Sequence, residues 1–227
     1  MRIIALETST EYCSVALWRD GALTGRCELV GQKHSEVLME MLNGVLQDSG
    51  CRMQDMDGVA FGKGPGSFTG VRIACGVAQG LALGAHLPVM GVCTLEALAQ
   101  ASGHDKVIAA LDARMGEIYH AAYQKQEDGW AITSEPCLCK PEAAPAVTGE
   151  GWFGCGTGFA MHGAALHAHY AGQLRGANGT LVPQASAIVE LAVARFMRGE
   201  GADAAQALPL YLRDKVALKT SERECAR

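Results

Sequence analysis

The sequence contains little charge, few aromatic side chains and no cysteine spacing typical of a metal site. Charged residues make up 19% of the 227 residues and aromatic residues 6%. The net charge of −5 predicts no general attraction to nucleic acid or to an anionic membrane. The nine cysteines include no C-x-x-C pair, and Cys137-x-Cys139 is their closest spacing. We therefore interpret most cysteines as small core side chains.

Signals for export and for membrane insertion are also lacking. The chain opens on MRIIALETST, which has neither the charged region nor the apolar core of a secretory signal. No apolar run approaches the ~20 residues that a membrane-spanning helix needs. We expect a cytoplasmic protein without a membrane anchor, in a reducing compartment that keeps its cysteines free.

The stretch 58–84, GVAFGKGPGSFTGVRIACGVAQGLALG, combines signals for a strand, a glycine-rich turn and a helix. Backbone N–H groups at the start of such a helix can bind a phosphate. The turn does not match a P-loop, because its lysine precedes the last two glycines. It does not match a dinucleotide fingerprint either, because Thr69 occupies the position of the third glycine. A tight connection that simply packs well is therefore the alternative interpretation. The candidate phosphate-proximal residues of the turn are Lys63, Gly64, Gly66 and Ser67.

The order of the predicted elements indicates the fold class. Apolar periodicity predicts three antiparallel strands over 2–30 and a helix over 34–49, followed by two strand–helix pairs that end near residue 102. This order matches the half-domain of the actin, sugar kinase and heat-shock ATPase superfamily. We expect an α/β protein of two ribonuclease H-like or actin-like ATPase half-domains, at 1–103 and 104–227, with mixed sheets flanked by helices.

The second block is predicted from shorter patterns. Strands are expected near 107–111, 118–123, 131–138 and 152–155, and helices at 159–170 and 185–197. We interpret 175–180 as a loop and 208–213 as extended chain. The polar composition from Thr220 onwards predicts disorder.

Two groups of histidines were candidates for chemistry. His162, His167 and His169 are spaced i, i+5 and i+7, whereas a metal-binding helix prefers i and i+4. This spacing favours a solvent-facing helix, with a metal site as the alternative. His34 precedes Ser35 and Glu36, which we interpret as a helix start with Ser35 as the N-cap.

Four motifs in order carry a family resemblance, namely ALETSTEYCSVALW, QKHSEVL, GKGPGSFTGVRIACGVAQGLAL and PVMGVCTLEALA. Over roughly residues 2–123 they resemble the TsaB family of bacterial tRNA threonylcarbamoyladenosine biosynthesis proteins, and LPLYLRD resembles the end of that family. In this superfamily an acidic residue at the end of the first strand lies near metal and phosphate, which makes Glu7 a candidate here. Glu7 is followed by Thr8 and Ser9 rather than by the usual glycine.

The resemblance also implies that a metal site has been lost. The catalytic relatives, of the TsaD type, carry a motif N-H-L-E-G-H whose two histidines bind metal. The corresponding stretch here is Cys93 to Leu98, in which Thr94 and Leu98 replace the two ligands and Glu96 remains. A neutral hydroxyl and an alkyl chain cannot replace imidazole as ligands. The resemblance therefore implies no intrinsic cofactor and no catalytic residues.

The function implied by the resemblance is that of a non-catalytic scaffold subunit. It would dimerise with a TsaD-type transferase and activate it in the synthesis of N6-threonylcarbamoyladenosine at position 37 of tRNA. A TsaE-type ATPase, ATP or ADP at the complex interface, indirect contact with tRNA and a homodimer through the same helices are further expectations. The predicted interface residues are Leu38, Met39, Leu42, Val45, Arg72, Cys75 and Gln79.

An enzyme acting alone is the alternative function. A nucleotide-dependent phosphotransferase or hydrolase would use Glu7, Lys63 and the loop from Gly64 to Gly66. Only the fold class supports this alternative, and a fold does not establish a function.

Overall fold

The computed structural model describes residues 1–213 and contains two five-stranded mixed sheets. In the first sheet the spatial order is β3-β2-β1-β4-β5, with β1, β2 and β3 antiparallel and β4 and β5 parallel to β1. The three antiparallel strands predicted at the start of the chain are confirmed. The strands of this sheet are β1 Arg2–Glu7, β2 Tyr12–Arg19, β3 Ala22–Leu29, β4 Gly58–Gly64 and β5 Val89–Cys93.

The second sheet repeats the topology of the first. Its strands are β6 Lys106–Asp112, β7 Ile118–Gln126, β8 Gly129–Cys139, β9 Trp152–Cys155 and β10 Leu174–Asn178. Their order is β10-β9-β6-β7-β8, which read from β8 is again third, second, first, fourth and fifth strand. The first three strands are antiparallel, and the last two run parallel to β6. The predicted α/β class with two half-domains is thereby confirmed.

The loop predicted at 175–180 is wrong, because β10 occupies Leu174–Asn178. This strand lies at the edge of the second sheet and pairs only with β9. Its side chains are exposed or half-buried, so the sequence LRGAN lacks the alternating apolar pattern of an internal strand. Backbone pairing to a neighbour, rather than side-chain burial, holds it in place.

Five helices cover the sheets and bury alternate strand residues. In β1, Ile4 and Leu6 face a core formed with α1 and α2, whereas Ile3 and Ala5 face a second core formed with α5. This alternation follows from the two-residue period of a strand. The helices are α1 His34–Asp48, α2 Phe68–Ala85, α3 Thr94–Ala101, α4 Thr157–His169 and α5 Ala185–Met197.

The C-terminal part of the described chain returns to the first sheet, which corrects the predicted half-domain at 104–227. Helix α5 packs on β1, β2 and β4 through small residues such as Ala185 and Ala192. Beyond it, Val89 and Ala202 exchange two backbone hydrogen bonds at 2.8 and 2.9 Å. The boundary near residue 103 marks a change of sheet but not the end of the first half. The tail predicted to be disordered from Thr220 lies outside the described residues.

Candidate functional site

A cleft of about 880 Å³ lies between the two halves of the protein. Its walls come from the hairpin between β1 and β2, the first turns of α1, α2 and α4, the end of β6 with the turn that follows, and the extended segment 210–213. Of the five phosphate-proximal candidates, only Gly66 and Ser67 line the cleft. Glu7, Lys63 and Gly64 point elsewhere, so the structure does not bring the predicted set together.

The glycine-rich turn packs against the chain's own hairpin. A Cβ at Gly66 would lie 2.6 Å from the carbonyl oxygen of Ser9, and one at Gly70 would lie 1.9 Å from that of Thr8. The backbone N–H of Ser67 donates to the Ser9 carbonyl at 2.7 Å, and the Thr8 hydroxyl donates to the Gly70 carbonyl at 2.7 Å. The Ser67 hydroxyl caps α2 by accepting from the Gly70 N–H. The glycines thus permit close packing, as the alternative interpretation expected.

Lys63 contacts the C-terminal segment through its backbone and Gly91 through its side chain. Its carbonyl oxygen accepts a hydrogen bond from the N–H of Leu210 at 2.6 Å. Its aliphatic stem lies against Gly91, where a Cβ would be 3.2 Å from the Lys63 Cδ. Gly64 adopts φ +98°, and a Cβ there would approach the Leu210 carbonyl to 2.9 Å.

Glu7 is a fully buried carboxyl group. One oxygen accepts from the backbone N–H of Ser9, and Oε2 has no hydrogen-bond partner among residues 1–213. A Cβ at Gly62 would lie 1.7 Å from that Oε2, so the absence of a side chain at Gly62 makes room for the carboxyl. Burial raises the pKa of Glu7 and favours its neutral form. A neutral carboxyl that does not reach the cleft is unsuited to hold a metal–phosphate group.

The two positions that the resemblance equates with metal ligands are occupied by buried side chains. Thr94 and Leu98 are completely buried at the start of α3. Glu96 forms an ion pair with Arg195 of α5, which ties α3 to the last helix. Within the described part of the chain, no three His, Cys, Asp or Glu side chains come together as a metal site. The residues present here therefore do not fit a metal ion.

The three histidines of α4 do not converge either. His162 Nε2 lies 3.2 Å from Asp112 Oδ1 at the wall of the cleft. His167 is exposed, and the ring of His169 packs edge-on against Tyr170 with 4.7 Å between centroids. The predicted solvent-facing helix is correct for His167 only.

The start of α1 differs from its prediction. Lys33 occupies the N-cap position without a side-chain hydrogen bond, so the expected cap by Ser35 is wrong. His34 is buried instead, and its Nε2 lies 2.8 Å from the carbonyl oxygen of Thr10. This contact fixes the start of the helix to the β1–β2 hairpin, which a local sequence pattern cannot indicate.

The predicted interface residues of α1 divide into core and surface. Leu38, Leu42 and Val45 are at most 1% exposed and belong to the core beneath the first sheet. Met39 is 43% exposed. The apolar stripe of α1 therefore faces its own sheet, and of these four residues only Met39 presents a side chain outward.

The predicted interface residues of α2 contact the chain's own C-terminal segment. They are spaced i, i+3 and i+7, so they lie on one face of the helix. Three hydrogen bonds join this face to the segment, from Arg72 Nε to Tyr211 Oη at 2.6 Å, from Cys75 Sγ to the Ala207 carbonyl at 3.3 Å, and from Gln79 Nε2 to the Ala204 carbonyl at 3.1 Å.

A further face of α2 is open and contains none of the predicted interface residues. Apart from the adjacent backbone of α2 itself, no atom of residues 1–213 lies within 4 Å of the place where a Cβ would stand on Gly76, Gly80 or Gly84. Leu83 on the same helix is 69% exposed. The i, i+4, i+8 spacing of these glycines was the available signal. We call these four residues the open face of α2.

Helix α2 is also the one described helix that could cross a membrane by length and composition. A third of it is buried, and that part packs on β4 through residues such as Val71 and Ala74. A helix that packs on a sheet through one face and is apolar on another is typical of a protein–protein contact.

The cysteines of the described chain have the character of packing residues. Cys13, Cys75, Cys93 and Cys155 are buried, three others are half-buried and Cys27 is exposed. Burial raises the pKa of the Cys13 thiol to about 12. A thiol that stays protonated at neutral pH is a poor nucleophile.

Comparison with known proteins gives concordant results. A family model described as TsaD, tRNA N6-adenosine threonylcarbamoyltransferase, matches residues 27–219. The tRNA threonylcarbamoyladenosine biosynthesis protein TsaB of Escherichia coli K12 is 41% identical over 96% of this chain and 97% of its own length. The protein of the same name from Haemophilus influenzae is 35% identical over 96% of both chains.

Solved structures agree with this assignment. A Pseudomonas aeruginosa protein, described as uncharacterized with similarity to peptidase YeaZ, superposes with a TM-score of 0.87 at 38% identity. The match covers 93% of this chain and 99% of that one. A second structure, of YeaZ from the same organism, gives a TM-score of 0.84 with the same coverage.

Proposed function

This chain belongs to the TsaB family of tRNA threonylcarbamoyladenosine biosynthesis proteins, and we propose that it acts there as a non-catalytic scaffold subunit. Its proposed partner is a TsaD-type transferase, which it activates by forming a heterodimer. The partner would carry the chemistry, and this chain would hold the partner in its active arrangement.

The observation that carries this proposal is the open face of α2. Three glycines at helical spacing let another helix approach closely, and the exposed Leu83 adds apolar area to the same helix. The partner would be expected to offer an equivalent helix, because the family model that matches this chain is that of the transferase. We propose that α1, through Met39, and α2 pack against the equivalent pair of helices.

Three features support a role without catalysis. The phosphate-proximal candidates are dispersed, with Glu7 buried and the turn at Gly66 packed against the hairpin. The two positions equivalent to metal ligands are the buried Thr94 and Leu98. These features also weigh against the alternative of a nucleotide-dependent phosphotransferase or hydrolase. Hydrolysis of ATP by the purified chain would revive that alternative.

Further components of the proposed assembly follow from the family. A TsaE-type ATPase, and ATP or ADP at the interface between subunits, are proposed as parts of the complete machinery. With a net charge of −5, this chain is proposed to meet tRNA only through its partner. A homodimer through the open face of α2 is proposed as the competing state when the partner is absent.

The test is a change at Gly80 that blocks the open face and leaves the fold intact. A Cβ at this position would have no neighbour within 4 Å among the described residues, and leucine favours helix, so the Gly80→Leu variant should fold. We expect it to lose co-elution with the TsaD-type partner and to lose threonylcarbamoyl transfer to tRNA in a reconstituted mixture. A matched control is Gly163→Leu, at a glycine of α4 that also has open space around it.

Each outcome of this experiment is informative. Wild-type co-elution and transfer by Gly80→Leu would contradict the proposed contact. Equal losses in Gly80→Leu and Gly163→Leu would show a general effect of leucine on the protein. Transfer that proceeds fully when this chain is omitted would contradict the scaffold role itself.

A further inference from the structure

The C-terminal segment connects helix α2 with the second half of the protein. The segment first runs along α2. At the end of β4, the backbone N–H of its residue Leu210 then donates a hydrogen bond to the carbonyl of Lys63. The Leu210 side chain packs against an apolar cluster that includes Leu111 of the second sheet. The segment 208–213 therefore contacts both halves of the protein, and its residues 210–213 line the cleft between them.

Arg213 anchors the end of this segment on the turn between β6 and β7. One of its guanidinium nitrogens lies 2.7 Å from Glu117 Oε2 and donates to the carbonyl of Ala113 at 3.1 Å. The Arg213 side chain is 17% exposed, so this ion pair is largely shielded from water. Ala113 and Glu117 also bond to each other through their backbones at 2.9 Å, which makes them the two ends of the turn.

The turn that Arg213 holds is conformationally unfavourable. Arg114 and Met115 have φ values of +64° and +57°, and Gly116 follows at +72°. Residues with a Cβ disfavour this left-handed region and adopt it where the surroundings impose it. Arg213 bonds to both ends of the turn, and so it supplies a restraint from outside the hairpin.

The tip of the same turn also contacts the opposite wall of the cleft. Arg114 of the second half forms an ion pair of 3.2 Å with Glu11 of the β1–β2 hairpin in the first half. These side chains are 75% and 55% exposed, and exposed ion pairs contribute little to stability. The shielded contacts of Arg213 are therefore the stronger connection across the cleft.

We propose that the segment 208–213 is a clasp that couples α2 to the turn at 113–117 across the cleft between the halves. Its first anchor is the hydrogen bond that Arg72 of α2 donates to the Tyr211 hydroxyl of the segment. Phe68 of α2 reinforces this anchor, because the centre of its ring lies 3.6 Å from the Arg72 guanidinium. Its second anchor is Arg213 on the turn. The anchors are two residues apart on one extended segment, so loosening the first loosens the second. The clasp is a property of the chain alone and does not depend on the proposed partner.

Hydrogen–deuterium exchange of the purified full chain tests this coupling. Tyr211→Phe removes the hydroxyl that accepts from Arg72 and leaves the ring near Phe68 in place. We expect exchange of the turn peptide 113–117 to rise about fivefold in this variant, although the substitution lies outside the turn. Arg213→Ala should raise it at least as much, and the double variant should exchange no faster than Arg213→Ala alone.

Controls separate coupling from general loosening. Arg198→Ala removes an exposed arginine that pairs with Glu200 outside the clasp, and it should leave the turn unchanged. Core peptides of β1 and β6 should exchange as in the wild type if the variants are folded. The proposal is overturned if the turn keeps its wild-type rate in Tyr211→Phe, if Arg213→Ala leaves the turn unaffected, or if the two substitutions act additively.

Discussion

Glu7 and Gly62 form a packing pair whose energetic coupling can be measured. In a Gly62→Ala variant the new Cβ would lie 1.7 Å from Glu7 Oε2 and 3.1 Å from Ile188 Cδ1. Non-bonded heavy atoms pack at about 3.5 Å, so the carboxyl would have to move by about 2 Å within a buried site. Overpacking of this kind costs roughly 1–3 kcal/mol.

The net effect of Gly62→Ala includes a smaller gain. Alanine in a strand interior is more favourable than glycine by about 0.5–1 kcal/mol, because it loses less backbone entropy. We therefore expect Gly62→Ala to lower the free energy of unfolding by about 1–2 kcal/mol. In a Glu7→Ala background the obstructing carboxyl is gone, and the same substitution should become neutral or stabilising. The coupling energy of the double-mutant cycle should be about 2 kcal/mol.

Urea unfolding of the four chains at neutral pH measures this cycle. Gly76→Ala is the matched control, since Gly76 has open space around it and alanine should stabilise α2 by up to about 1 kcal/mol. Additivity of Gly62→Ala and Glu7→Ala within about 0.5 kcal/mol would refute the claim that Gly62 is there to accommodate the carboxyl.

Two buried titratable groups predict opposite dependences of stability on pH. Burial raises the pKa of Glu7 in the folded state. The stability that the protonated carboxyl contributes is therefore lost as pH rises through the folded-state pKa. The Glu7→Gln variant should not show this loss in thermal melts recorded from acid to neutral pH. Burial lowers the pKa of His120 from 6.5 to about 4, so its contribution is present above pH 6.5 and is lost as pH falls towards 4. The loss should reach about 3 kcal/mol and should disappear in His120→Leu, which urea unfolding at pH 7 and pH 4.5 would show. An unchanged pH profile in either variant would contradict its assignment.

The elements that the sequence predicted well are those with a strong apolar period. Helix α5 was predicted at 185–197 and occupies Ala185–Met197, and the three strands predicted over 2–30 are β1, β2 and β3. The buried residues of α5 cluster on one helix face, and β1 and β2 are almost continuously buried apolar runs, so both leave a recognisable pattern in the sequence. Strand β10 has no such pattern because its pairing is made by backbone groups. The repetition of one strand order in both sheets was invisible for the same reason, since hydrogen-bonded topology does not require similar side chains.

The candidate site was harder to predict because its contacts join distant parts of the chain. A stripe such as Leu38, Leu42 and Val45 indicates which face of a helix is buried, but not whether the covering surface belongs to the same chain. The bond from Arg72 to Tyr211 spans 139 residues and that from Gln79 to Ala204 spans 125. No local pattern indicates that the segment containing Ala204 and Tyr211 would lie along α2.

Helix α2 contains one glycine that is packed closely against the hairpin and three glycines that face open space. At the start of α2, Gly70 allows the β1–β2 hairpin to approach closely. The hydrogen bond from the Thr8 hydroxyl to the Gly70 carbonyl offsets part of the free-energy cost of a glycine in the helix. Further along, Gly76, Gly80 and Gly84 each cost about 1 kcal/mol relative to alanine, and no atom of the described chain occupies the space they leave. Among the described residues, no packing contact at these three positions compensates for this cost of about 3 kcal/mol. A helix from another molecule that packs closely on the open face would supply the compensation, which is the physical reason for expecting the scaffold to act through α2.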